Sequence, residues 1–530
     1  MATGRLTRRR VIQTAALAAG GAAIPFVRAA GAAGGVTPKG RMVLAWHTNL
    51  APRWLDPGQH DGSATPDNFI TVVHDALIKN YKEKLYDHLA LAEHFEFAED
   101  ARSATFRLRP NLYFHDGSPV TPEDVKWSYE NYHGAWGTVL HERTDRISLL
   151  DKRTVRFEFK NAFLDFPRLF GTSNVCGAAW VVPAKYVEKV GKDGFVAKPI
   201  GAGPYKLVNH EPGTRLDFEA FEGYYAPIHV KEFSIVSAPD GATRMAMIER
   251  GEADITYGLS GELVPRIQRS QKVMLAPVVS GNQWLKFPGF QDPKNPFHDK
   301  RVREAVSLAI DRDAINHAEC AGLGKIDGNW INDDVEYALE WPKWERNLEK
   351  AKQLMAAAGY PNGFNFDWLT PTPPYYSRGE RILVQLQAIG IRGKLQTLER
   401  GVYNKRRQGG MQEWPGINVI FEGARIGASW ANWYESLFKC GGQLVGDTVC
   451  VKELDAKFDR YMISDQPADR EKLAHEIQRE ILENYYFVPV FRHAFMNAIG
   501  PRIEAKSWKD VFSTVTTGYA YPWEEIRLKA

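Results

Sequence analysis

Between Thr105 and Trp127 the chain starts with alternating apolar and polar positions. Phe106 and Leu108 fall on one side of an extended segment and Arg107 and Arg109 on the other, the period of a half-buried strand. His115-Asp116-Gly117-Ser118-Pro119 breaks that alternation with turn-forming residues. Thr121 then stands as a helix N-cap, with Pro122 at the first helical position and Asp124 three residues on, the spacing of a capping box. A strand, a tight turn and a capped helix are predicted in succession.

Similar patterns recur along the chain. Residues 41–46 read as a strand leading to a loop that ends Trp54-Leu55-Asp56-Pro57, and 154–159 alternate Val155, Phe157 and Phe159 inward. From Ile200 the pattern predicts a hairpin turned at Glu211-Pro212-Gly213 and returning along Leu216 and Phe218. A helix from Met245 ends at Gly251 and passes into a strand reaching Ile255. Residues 300–312 predict one amphipathic helix with Val302, Ala305, Val306, Ala309 and Ile310 on its apolar face. Another spans 347–360 with Gly359 as its stop signal, and a long helix near 469–485 precedes Val488-Pro489-Val490. These elements give mixed α/β structure, and about 500 residues exceed one hydrophobic core, so more than one domain is expected.

Residues 1–33 read as a targeting segment. Thr7-Arg8-Arg9-Arg10-Val11-Ile12 fits the twin-arginine export pattern, and Ala30-Gly31-Ala32 offers a small-residue cleavage site. The Ala- and Gly-rich stretch from Val11 to Val27 is too weakly apolar to span a bilayer. The first cysteine is Cys176, which leaves no lipidation site at the leader, so a periplasmic protein exported by the twin-arginine route is expected. The leader holds five arginines and no acid; of 67 basic and 64 acidic side chains, 62 and 64 then remain, and nothing in this balance points to nucleic acid. Four cysteines in an exported chain suggest disulfides. Cys440 and Cys450 bracket a Gly-rich loop and are paired here, while the pairing of Cys176 with Cys320 stays open.

Taken together, the Phe114-His115-Asp116-Gly117 turn with Asp124-Val-Lys-Trp-Ser-Tyr129, the Leu55-Asp56-Pro57 loop, Ile200-Gly-Ala-Gly-Pro-Tyr205 and Arg301-Val-Arg-Glu-Ala-Val-Ser-Leu-Ala-Ile-Asp-Arg312 resemble the extracytoplasmic solute-binding proteins of ABC importers, in the peptide/nickel-type family 5. The phrases occur in family order from residue 41 to about 490. The resemblance implies a two-lobed α/β periplasmic-binding-protein fold with a hinge and an extra inserted subdomain. Lobe I would be built from 37–60, 201–280 and 500–530, the insert from 61–200 and lobe II from 281–499, with crossings near 280 and 500. It also implies a monomer that captures a small solute or short peptide and delivers it to ABC permease subunits.

Catalytic motifs are missing. There is no phosphate-binding Gly-x-x-x-x-Gly-Lys loop, Gly201-Ala-Gly-Pro lacks the third glycine of a dinucleotide fingerprint, and His475-Glu476 lacks a second histidine four residues on. No enzyme activity, cofactor or metal site is expected. The 15 Trp, 21 Tyr and 27 Phe supply candidate cleft walls. By position in the family, Trp46 and Asn49 would line the cleft from lobe I. Trp284 would do so beside the hinge, and Tyr375, Tyr376 and Arg378 from a proline-rich loop at 370–378. Residues 419–433, including Trp430, lie where peptide-binding relatives carry an aspartate for the peptide α-ammonium. This chain has Glu422 and Arg425 instead. Glu422 could replace that carboxylate, Arg425 could favour an anionic group, or the two could pair with each other. The ligand expected is a peptide-like or carboxylate-bearing solute. A metal chelate is the alternative, and a periplasmic hydrolase or a sensor or chaperone on the same fold would be a different class.

Overall fold

The computed structural model describes residues 36–60, 64–79, 89–134, 136–172, 180–333, 335–373, 375–424, 429–442, 449–504 and 522–529. The expected targeting segment 1–33, Cys176 and Arg425 lie outside them. Ten of the described strands form one sheet. From edge to edge these are Ile391–Leu395, Phe364–Pro371, Asn418–Ala424, Met274–Lys286, Phe487–Ile499, Ile255–Leu259, Lys39–Trp46, Val230–Ser237, Arg215–Ala220 and Tyr205–Glu211. Lys39–Trp46 runs parallel to both of its neighbours, and Phe364–Pro371 runs parallel to both of its own. Between these two parallel sets lie the long strands Met274–Lys286 and Phe487–Ile499, antiparallel and paired from Met274↔Ile499 to Lys286↔Phe487. Every residue of Phe487–Ile499 is buried, as expected of a strand covered on both faces.

Residues 92–159 build a second, antiparallel sheet in the order Ala92–Phe97, Ser103–Leu108, Thr154–Phe159, Thr144–Asp151. Phe106 and Phe157 point into its core, and helix Pro122–Glu130 lays Tyr129 against Phe157 at 4.7 Å between ring centroids. Thr121 caps that helix through the reciprocal box with Asp124. The His115 turn ties this subdomain to the hairpin of the large sheet. The His115 backbone N–H donates to the Gly201 carbonyl at 2.9 Å, and its Nε2 donates to the Gly203 carbonyl at 3.0 Å. Gly201 and Gly203 allow the close approach of helix Ala64–Val73, because a Cβ on either would lie within 2.7 Å of the Val73 backbone. Burial lowers the His115 pKa to about 4 and that of His74, bonded through Nε2 to the Leu55 carbonyl, to about 3.

Two expected elements differ. The helix predicted over 300–312 ends at Ala309; Ile310 is extended, and Asp311 caps a new helix, Arg312–Cys320, by accepting from the Ala314 N–H. An aspartate that can cap competes with helix continuation, and here the cap wins. The segment 370–378 is not a loop throughout, since Pro371 ends a strand and Tyr376 begins helix Tyr376–Leu386. Cys440 and Cys450 form a disulfide with Cα atoms 4.7 Å apart, and Cys320 is a buried free thiol. One apolar cluster, containing Met42, Leu44 and Tyr257, fills the first half of the large sheet. A larger one is continuous from the antiparallel subdomain, through Phe106 and Phe166, to Trp284 and Trp433 of the second half.

Candidate functional site

The pairing register places the site. Ile255 lies opposite Ile499 and Leu259 opposite Met496, so the first parallel set directs its carboxyl ends towards the middle of the long strands. Ala424 lies opposite Asn282 and Ile420 opposite Lys286, so the second set directs its carboxyl ends back to the same place. Ligands of open α/β sheets sit outside the carboxyl ends of parallel strands. Here two such edges face each other across a crossing where Gly281 pairs with His493. The ladder slips between Val279 and Gly281 and again between Gln283 and Trp284, two irregularities that interrupt the regular pairing at this point.

An aromatic column crosses this junction. Trp46, the last residue of its strand, stacks on Tyr257 at 4.9 Å, and Tyr257 stacks on Phe495 at 5.5 Å. Phe495 meets His493 edge-on at 4.5 Å, and His493 lies 5.9 Å from Tyr375 on the far side. The Arg378 guanidinium is 4.0 Å over the Tyr375 ring and approaches both ring nitrogens of His493 at 3.2 Å. Glu319 neutralises it, accepting from Arg378 Nε at 3.1 Å and Arg381 Nε at 2.9 Å. Arg378 Nη1 is buried and has no hydrogen-bond partner among the described residues. The Cys320 Sγ is 2.8 Å from His493 Nδ1; burial pushes its thiol up to about 11, so it remains protonated beside the imidazole.

Beneath the second edge lies a buried ionic triad. Glu422 receives Arg407 Nη1 at 2.8 Å on one carboxylate oxygen and Lys286 Nζ on the other, and neither Lys286 nor Glu422 has exposed surface. Burial opposes the charge on Glu422, but Lys286 and Arg407 outweigh it and hold the carboxyl below its usual range. Burial pushes the Lys286 ammonium down, against the attraction of Glu422. Two cations therefore share one carboxylate.

The candidate residues occupy different environments. Trp46, Tyr375 and Arg378 meet in the junction column. Asn49 is exposed nearby, accepting from Ser237 Oγ at 3.4 Å. Trp284 is fully buried within its strand, stacked on Phe487 at 5.3 Å. Tyr376 bonds through its hydroxyl to the Leu398 carbonyl, and Trp430 is packed between Tyr434 and Tyr461. Glu422 is committed to Lys286 and Arg407, while Arg425 falls outside the described residues. Sequence reasoning missed Tyr257, Phe495, His493, Glu319, Lys286 and Arg407. Lys286 carried a signal, a single cation inside the apolar run Trp284-Leu285-Lys286-Phe287.

Two α/β lobes joined by paired crossing strands, with strand ends converging between them, define a two-lobed binding protein of the periplasmic type. The model of the bacterial extracellular solute-binding proteins, family 5, matches residues 88–414, and the chain belongs to this family, whose members are extracytoplasmic transport receptors. The chain is 25% identical over 431 residues to the glutathione-binding protein GsiB of Escherichia coli K12, covering 77% of this chain and 81% of that protein. Its fold matches the ABC transporter-associated periplasmic binding protein DppA of Helicobacter pylori, solved with the peptide STSA, with a TM-score of 0.79, 20% identity and coverage of 93% and 98%. It also matches the binding protein AgaA of A. tumefaciens R10, solved with agropinic acid, with a TM-score of 0.77, 22% identity and coverage of 93% and 99%. The chain is thus a solute-binding protein of this family. Among the described residues no helix is long and apolar enough to cross a membrane.

Proposed function

We propose that this chain is a monomeric periplasmic receptor, exported by the twin-arginine route. It captures a peptide-like or carboxylate-bearing small solute between its lobes and passes it unchanged to membrane permease subunits. The observation that carries this reading is the convergence of two sets of strand carboxyl ends on one crossing. Lobe I is assigned to 37–60, 201–280 and 500–530, the insert to 61–200, and lobe II to 281–499. The pivots are placed at Gly281 and His493, because Met496 and the residues after it already pair with the strand Ile255–Leu259. Closure about these pivots would bury the ligand against Trp46 and Tyr375, a population shift driven by contacts made only in the closed state.

The charge pattern supports an anionic rather than a cationic recognition group. Glu422 is consumed by two cations, Arg378 keeps Nη1 unpaired among the described residues, and Arg425 stands in the segment where peptide-binding relatives carry an aspartate. Calorimetry with short peptides, glutathione and N-substituted amino acids tests this reading. A carboxylate-bearing member is expected to bind one-to-one, and Arg425→Ala to weaken it by more than about tenfold, as loss of a charged hydrogen bond does. Unaltered affinity in the variant removes Arg425 from the site, and binding without any carboxylate overturns the ligand class.

A further inference from the structure

Arg244 lies on helix Gly241–Glu249, which follows the strand Val230–Ser237, and only 3% of its surface is exposed. Its guanidinium spans the carboxyl ends of the first parallel set. Nη1 donates to the carbonyls of Ala238 at 2.6 Å and Pro239 at 2.8 Å, and Nη2 donates to that of Gly258 at 2.7 Å. Ala238 in turn donates its N–H to the Trp46 carbonyl at 2.8 Å, at the end of the neighbouring strand. Arg244 Nε is buried without a hydrogen-bond partner, and no carboxylate pairs with this guanidinium among the described residues. Asp240, which attracts it, is an exposed helix cap whose carboxylate accepts from the Thr243 N–H and hydroxyl. Arg378 holds the matching place on the second edge, on the helix that follows Phe364–Pro371. It too is 3% exposed and keeps one buried donor, Nη1, without a partner among the described residues. Glu319 is shared between Arg378 and Arg381, which leaves this group one positive charge in excess. Tyr375 connects the two edges. Arg378 stands 4.0 Å over its ring, while the same side chain packs against the apolar cluster of Tyr257 and acts electrostatically on Arg244.

We infer that Arg244 is a further specificity-determining residue and that, together with Arg378, it selects a solute carrying two anionic groups, one for each edge. This role rests on the receptor reading and names the charge that the ligand must bring. A buried cation is unfavourable unless opposite charge and hydrogen bonds compensate it. Burial brings the Arg244 pKa down only to about 10, so the group stays charged at neutral pH. Carbonyl dipoles hold it in place but do not cancel its charge. On the second edge Glu319 balances one of two guanidiniums. Two carboxylates of a ligand would balance both edges, whereas a zwitterion would bring its ammonium into the same excess of positive charge.

Calorimetry of the full-length protein with N-acetylglutamate and N-acetylglutamine tests this role, since the two differ only by a carboxylate replaced with an amide. The parent protein is expected to prefer the diacid by about tenfold or more, as an added charged hydrogen bond gives. Arg244→Gln is expected to lose that preference, while its melting temperature records separately the loss of the carbonyl bonds. Arg244→Lys, which keeps the cation, is expected to retain most of it. Equal affinity of the parent for the two compounds overturns the proposal, and that comparison needs no variant to fold. A purely structural Arg244 would weaken both compounds alike and leave their ratio unchanged, a result that overturns it as well. Absence of binding by both compounds also overturns it, and one-to-one binding of a short peptide in the same experiment would show that the receptor reading survives.

Discussion

Glu422 was singled out by position, while the partners it has in the fold could not be read from its surroundings in sequence. Its place in the segment 419–433 singled it out, yet the reason it is charged lies in Lys286, two strands' pairing away in sequence, and in Arg407 on helix Arg400–Gln408. Neither partner is near it in sequence, so no local pattern could join them. The triad carries one more cation than anion, which fixes the sign of the mutational effects. Glu422→Gln leaves two buried cations facing each other and should cost about 3–5 kcal/mol in denaturant unfolding. Lys286→Met leaves the neutral Glu422–Arg407 pair and should cost less. Added to Glu422→Gln, it should recover part of the loss, a coupling that a double-mutant cycle measures directly. Strict additivity of the two changes would mean that the three charges do not act as a unit. Trp46 and Arg378 were singled out only by the positions that the family resemblance gives them; Tyr257 and Phe495 were not, because each reads as an ordinary strand residue until the register stacks them.

At the scale of elements, local chemistry was the most legible part of the chain. The capping box at Thr121, the hairpin turned near Gly213 and the stop at Gly251 all follow from residue types that suit only a few backbone conformations. The break at Ile310 was hidden because Asp311 sits on an otherwise continuous helical pattern. The role of the His115 turn was also hidden, since it depends on Gly201 and Gly203, almost ninety positions on. That turn now yields a pH prediction. An imidazole titrates near 6.5 when unfolded, whereas His115 titrates near 4 in the fold. Between these values the unfolded chain holds the extra proton, so stability is complete above about pH 6.5 and is lost as pH falls towards 4. His115→Gln keeps the donor to the Gly203 carbonyl but cannot titrate. Relative to the variant, the parent protein should lose about 1.4 kcal/mol per pH unit across that window. Parallel stability curves for the two proteins would show that His115 is already charged in the fold.

For the whole molecule, the two-lobed architecture was legible only through the order of several motifs, because no single segment encodes a hinge. What the sequence hid is how the halves meet. The two long strands carry the crossing, the aromatic column bridges it, and Asp165 meets Ser429 and Arg470 away from it. The His115-Asp116 pair, though the strongest motif in the chain, belongs to the scaffold; the proposed ligand capture would depend on surfaces that only the fold brings together. The central claim is that these surfaces close on a small solute and release it unchanged. Its most direct test is a scattering titration with the compound that the purified, exported protein itself yields on denaturation, identified by mass spectrometry before and after. The expected result is one molecule bound per chain, a smaller radius of gyration at saturation, and recovery of the same compound. A compound recovered as a reaction product, or one that binds one-to-one with no change in radius, would contradict the account.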